Sequence, residues 1–209
     1  MAFDLEEQEK VEAIKSWWAQ YGTSLILGVV VFTAAVLGAQ GWRYYQRVQA
    51  EQAATLYLEV EKAVAARDDK KVRAAAAQVI DKYGGTAYGA RAALLASRSA
   101  YEAGDLAGAK MQLTWVAGNA KEDELRDVAR LRLAGVCLDE KNYADALKAL
   151  EAPHGATFNA LFSDMKGDVL SAQGKSAEAR SAYQAALEKI DKGSPYRGYI
   201  QLKLDILGG

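Results

Sequence analysis

The 209-residue chain is near charge balance, with 26 Lys and Arg against 27 Asp and Glu. Residues 1–42 carry Lys10 and Lys15 against Asp4, Glu6, Glu7, Glu9 and Glu12, a net of −3, which leaves 24 basic and 22 acidic residues beyond them. Neither part has the basic excess that nucleic-acid binding needs, and the single cysteine, Cys137, excludes an intrachain disulfide.

Residues 1–20 read as an acidic tail that ends in a short interfacial helix. Val11, Ile14, Trp17 and Trp18 recur there at three- and four-residue steps. No charge then occurs between Lys15 and Arg43. Residues 21–42, as a helix rising about 1.5 Å per residue, span roughly 33 Å, enough to cross a hydrocarbon core. Trp17, Trp18 and Tyr21 precede this run, and Trp42, Tyr44 and Tyr45 follow it. Amphipathic rings at both ends suit the headgroup level, so the run predicts one transmembrane helix in a lipid bilayer. Its acidic approach and its length argue against a cleaved signal peptide. Ala34 and Gly38 form a small-xxx-small pair, the candidate contact for another membrane helix. Lys10 and Lys15 before the span balance Arg43 and Arg47 after it, so the positive-inside count does not orient the chain.

Beyond Trp42 the sequence becomes alanine-rich and charge-studded, with only two prolines, Pro153 and Pro195, in the chain. Nothing in 43–66 would break a helix, and this segment is expected to continue the span as a stalk and then pair with 70–83. Helical spacing recurs throughout, as in Val128, Leu131 and Leu138, and no alternating strand pattern is present. The expected fold is all-α: one N-terminal transmembrane helix, then a tetratricopeptide (TPR)-like helical-repeat domain, an α-solenoid, over 43–209.

The repeat shows at three turns. Ala103-Gly104-Asp105 precedes Ala109, Glu140-Lys141-Asn142 precedes Ala146, and Gln173-Gly174-Lys175 precedes Ala179. The alanines at 109, 146 and 179 are 37 and 33 residues apart, against a TPR period of about 34. In the last unit Gly167, Ala179, Tyr183 and Ala186 take the positions where small residues let paired helices close and an aromatic fills the gap. Residues 196–207 place Tyr199, Leu202 and Ile206 at helical steps, and this stripe is expected to cap the open end of the stack.

Chemistry is absent from the pattern. There is no phosphate-binding glycine loop, no Cys/His cluster and no nucleophile elbow, so no catalytic, metal or cofactor residues are predicted. His154 reads as an exposed turn residue without a partner, Cys137 as a small buried hydrophobe, and Trp115 as core. The acidic clusters at 68–69 and 122–124 fall at helix starts, where they suit capping and the helix dipole. What remains is a concave surface for a peptide or protein, with Tyr88, Arg91, Leu95, Tyr101, Arg130 and Phe162 as candidate lining residues from the first helices of the pairs.

Several stretches resemble the YfgM-type ancillary subunit of the bacterial SecYEG translocon. They are Val11-Glu12-Ala13-Ile14-Lys15, Gly41-Trp42-Arg43-Tyr44, Thr86-Ala87-Tyr88-Gly89-Ala90, Leu131-Arg132-Leu133-Ala134 and Ala179-Arg180-Ser181-Ala182-Tyr183. The resemblance covers essentially the whole chain. It implies a single-pass inner-membrane protein with a cytoplasmic N-terminus and a periplasmic TPR-like domain. It also implies association with the translocon, with the membrane-anchored periplasmic chaperone PpiD and with translocating client polypeptides, without catalysis. The alternative is a membrane-tethered TPR scaffold for envelope assembly or division with no translocon role.

Overall fold

The structure, a computed structural model, describes residues 2–208; the side chains of residues 1–6 and 8, and so part of the acidic tail, lie outside the described residues. Every regular element among them is helical. Helix α1 runs Ala2–Ala65, α2 Asp69–Tyr83, α3 Ala87–Glu102, α4 Leu106–Asn119 and α5 Asp123–Asp139. There follow α6 Tyr143–Glu151, a 3₁₀ turn Ala156–Phe158, α7 Asn159–Ala172, α8 Ser176–Lys189 and α9 Tyr196–Ile206. The chain divides between Val48 and Gln49 into two compact units.

The described residues of the first unit are helix throughout. The expected interfacial helix before the span is not a separate element, because no residue between Ala2 and Ala65 interrupts α1. Its apolar run is long enough to cross a membrane and is almost entirely uncovered by protein. Ile26, Val30, Phe32 and Leu37 are all exposed. Trp17 and Tyr21 lie 5.9 Å apart at one end, and Trp42 and Tyr45 lie 5.9 Å apart at the other.

The second unit is a stack of helix pairs, and four of its turns stop a helix in the same way. Arg67, Gly104, Lys141 and Gly174 all take positive φ, at 53°, 79°, 58° and 76°. In each case the next N–H returns to a carbonyl five residues back: Asp68 to Ala63, Asp105 to Ala100, Asn142 to Cys137 and Lys175 to Leu170. These are left-handed C-terminal caps that satisfy otherwise orphaned carbonyls. Three of the four residues that follow then start the next helix. Asp68, Asp105 and Asn142 accept from the backbone N–H of Lys71, Gly108 and Asp145, whereas Lys175 has no oxygen with which to do so. The pairs are the end of α1 with α2, α3 with α4, α5 with α6, and α7 with α8.

Each pair buries alanines and aliphatics against the next. Val60, Val72 and Val79 meet Ala92 and Ala96 of α3; Ala109, Leu113 and Val116 meet Ala129 and Val136 of α5. Further on, Ala134, Cys137, Ala146 and Leu150 enclose Phe162 and Val169, and Leu170, Ala179, Tyr183 and Ala186 receive Ile200 and Leu204 of α9. Ala109, Ala146 and Ala179, the three aligned alanines, are fully covered. Methyl-sized side chains at these crossings let the helix backbones approach closely, and the resulting dispersion contacts hold the stack together.

Helix α9 caps the stack with the opposite face from the one its spacing suggested. Ile200 and Leu204 are buried, while Tyr199, Leu202 and Ile206 point outward. Polar ties decide the choice. Lys203 Nζ bridges Asp164 at 2.9 Å and Asp168 at 2.7 Å, and the Tyr196 hydroxyl donates to Asp164 at 2.7 Å. Arg180 of α8 donates to the carbonyls of Leu207 and Gly208 at the end of α9.

Candidate partner-binding groove

Helices α3, α5 and α7 are the first members of successive pairs, and a groove of about 600 Å³ opens between them. Leu113 and Val136 form part of its apolar floor, with Leu138 and Met165 beside them. Gly135 lines it as well, and a Cβ there would make only an ordinary contact, with Met165 Cε at 3.8 Å. The rim is polar and mostly self-paired. Arg98 Nε reaches Glu102 at 2.7 Å, and the Tyr101 hydroxyl donates to Asp139 at 2.7 Å. That hydrogen bond raises the Tyr101 pKa by favouring the neutral phenol. Arg132 lies exposed on the same wall. Apolar floor with a charged rim is a surface that takes a side chain of a polypeptide and orients its backbone or charges.

Among the six sequence candidates, Tyr101 lines this groove. Leu95 lines a separate cleft with Val64, Val72 and Arg98. Tyr88 is half-buried, its ring 5.5 Å from Tyr57, and Arg91 is held by Glu122 at 3.2 Å. Arg130 pairs with Asp127 at 3.2 Å and donates to the Pro153 carbonyl at 2.7 Å, tying α5 to the connection before α7. Phe162 is only 3% exposed, so it is a core residue where surface contact was expected. His154 is likewise not a bare turn residue. Its ring stacks on Phe162 at 3.8 Å between centroids, and its Nδ1 lies 3.1 Å from the Ala152 carbonyl.

Arg98, Arg132, Asp139 and Met165 complete the groove and were missed. The repeat step itself carries the missing signal: 37 residues beyond Tyr101 is Leu138, and 33 beyond Arg132 is Met165. Both pairs line the groove.

Cys137 is buried, and burial raises the pKa of its thiol. Trp115 packs half-buried against the second core cluster. Asp68 caps α2, and the backbone hydrogen bond from Lys71 lowers its pKa. Glu122 occupies the cap position of α5 but makes no cap hydrogen bond with its side chain. Among the described residues no three His, Cys, Asp or Glu converge into a metal-holding group. Along α1, a Cβ at Gly38 would meet nothing within 4 Å, and Ala34 is exposed.

Residues 15–209 match the tetratricopeptide repeat-like domain family. The chain is 36% identical to the ancillary SecYEG translocon subunit of Neisseria gonorrhoeae, covering 99% of this chain and all of that one. It is 30% identical to the subunit of the same name from Escherichia coli, over 96% of each, and 29% identical to that of Haemophilus influenzae, over 89% and 91%. With its apolar α1 and its stacked helix pairs, the chain belongs to the family of ancillary SecYEG translocon subunits, built on a tetratricopeptide repeat-like domain.

Proposed function

We propose that this chain is a non-catalytic adaptor of the inner membrane that stands at the Sec translocon and presents its helical-repeat domain to proteins emerging there. In this reading residues 1–20 form a cytoplasmic acidic tail and 21–42 span the bilayer. Residues 43–66 are the stalk, and the repeat domain lies in the periplasm, where it meets the membrane-anchored chaperone PpiD and newly translocated polypeptides. Ala34 and Gly38 mark the face of the span that meets another membrane helix. The observation that carries the reading is the groove between α3, α5 and α7, whose apolar floor and charged rim suit a polypeptide segment and hold no convergent set of catalytic side chains.

Photocrosslinking from Tyr101, Arg132, Ala34 and Gly38 in intact membranes tests it. Adducts to translocon subunits from the span, and to a chaperone or nascent chains from the groove, are expected. Adducts confined to division or wall-assembly proteins would replace the translocon reading with a general envelope scaffold.

A further inference from the structure

Two charges that the fold leaves uncompensated polarise the groove between α3, α5 and α7 along its length. The other arginines of α3 and α5 each find a carboxylate: Arg91 meets Glu122, Arg98 meets Glu102, Arg126 meets Asp123 and Arg130 meets Asp127. Arg132 meets none. Among the described residues its exposed guanidinium has no hydrogen-bond or ion-pair partner, although it lines the groove. Asp139, also exposed, is the opposite case. It accepts from the neutral Tyr101 hydroxyl at 2.7 Å, and among the described residues no cation pairs with it.

The two charges share one face of α5. Seven residues make two helical turns to within about 20°, so Arg132 and Asp139 project from the same side, about 10.5 Å apart along the axis. Gly135 and Val136 occupy the turn between them, and Met165 of α7 closes on Gly135 from across the groove. A cation, an apolar floor and an anion thus follow one another in a line. An extended polypeptide turns every second side chain to one edge, at steps of about 6.6 Å. An acidic residue, an apolar residue two places on and a basic residue two further span about 13 Å. The small excess over the α5 spacing is absorbed by the rotamer freedom of the long Arg132 side chain. The carboxylate then meets Arg132, the apolar side chain enters at Gly135, and the cation meets Asp139.

We propose that this groove takes extended segments of unfolded polypeptide in which an acidic, an apolar and a basic side chain alternate along one edge, with Arg132 and Asp139 setting the choice. The inference rests on the reading of the groove as a polypeptide site and adds its specificity. A pattern of three side chains in five residues is short and recurs in many sequences, which suits passing contact with unfolded chains. Exposed ion pairs add little affinity. Their effect is to orient the segment and to reject one that brings a like charge to either end.

The test is fluorescence anisotropy with the full-length chain in detergent micelles and three dye-labelled peptides, each flanked by prolines that keep it out of a helix. Their cores are Glu-Ser-Leu-Ser-Lys, Glu-Ser-Leu-Ser-Glu and Lys-Ser-Leu-Ser-Lys. The first is expected to bind roughly three- to tenfold more tightly than either of the others. Arg132→Glu should transfer the preference to the peptide with two lysines. Asp139→Asn, which keeps an acceptor for Tyr101, should bring the peptide with two glutamates level with the first. Both positions are exposed, so the variants keep the fold. About 1 M salt should erase the ranking. Any other ranking overturns the proposal. Gly135→Phe, checked for unchanged helix content, separates two kinds of failure, because its ring fills the floor. If the three peptides bind alike and Gly135→Phe abolishes that binding, the groove takes polypeptide without regard to charge and only this inference falls. If no peptide binds, or Gly135→Phe leaves binding unchanged, the polypeptide reading of the groove falls with it.

Discussion

Gly167 of α7 and Tyr183 of α8 fit together because glycine has no side chain: a Cβ at 167 would lie 2.4 Å from Tyr183 Cε1 and 2.5 Å from Cδ1. The ring cannot swing clear. It is buried, its hydroxyl donates to Asp168 at 2.8 Å, and Lys203 Nζ lies 5.7 Å from its centre. Helix against helix at this distance defines the last repeat.

Gly167→Ala therefore destabilises the domain although alanine favours a helix by roughly 0.5–1 kcal/mol. Overpacking a rigid ring costs about 1–3 kcal/mol, so the net loss is about 1–2 kcal/mol, or several degrees in Tm. Thermal unfolding of the variant decides it. In a Tyr183→Leu background the same change should cost markedly less, because the two sites are in contact; equal costs in both backgrounds would refute the packing.

The four equivalent turns make a second prediction. Gly104 and Gly174 reach positive φ freely, whereas Lys141 does so with a side chain that disfavours it. Lys141→Gly is expected to stabilise by about 0.5–1 kcal/mol, and Gly104→Ala or Gly174→Ala to destabilise by about 1 kcal/mol. Denaturant midpoints of the three variants, at unchanged slope, test the assignment. A destabilised Lys141→Gly would contradict it.

These turns also show what the sequence could reveal. Two carry glycine and a third aligns with them, so three repeats were legible; Arg67 disguises the fourth, and α1 with α2 looked like a pair but not a repeat. The aligned alanines fall where their spacing put them, because a fully covered crossing tolerates little else. Helix α9 misled for a physical reason. It carries two apolar stripes, Tyr199-Leu202-Ile206 and Ile200-Leu204-Leu207, and periodicity cannot rank them. The ties from Lys203 and Tyr196 to Asp164 rank them, and these join residues 39 and 32 apart in sequence. Phe162 fails similarly: a large aromatic on the first helix of a pair suits a groove or a core, and only the neighbouring pair determines which.

Asp164 is the joint that holds α9. It is buried and accepts from both Lys203 and Tyr196. Asp164→Ala leaves the Tyr196 hydroxyl without its partner and Lys203 with Asp168 alone, and should destabilise by roughly 1–3 kcal/mol. The effect should be local: amide exchange in α9 accelerates strongly, while α3 and α4 keep their protection. Uniform acceleration across the domain would show that α9 is not a separately held cap.

The same joint sets the alkaline limit of the fold. Burial, reinforced by hydrogen bonds to Asp168 and Asp164 respectively, raises the pKa of Tyr183 and of Tyr196. Burial works against the Lys203 ammonium, but its hydrogen bonds to the two carboxylates outweigh this, and its pKa is raised as well. A pKa raised on folding contributes stability that is complete below the unfolded value and is lost as pH rises through the folded one. All three groups have unfolded values near 10, so their contribution is intact at neutral pH and fades only above about pH 10. In a spectrophotometric titration Tyr183 and Tyr196 should form a late phase that resists ionisation until the cap opens. Replacing both by Phe should remove that late phase, and its absence from the unmodified protein would show that neither hydroxyl is held as described.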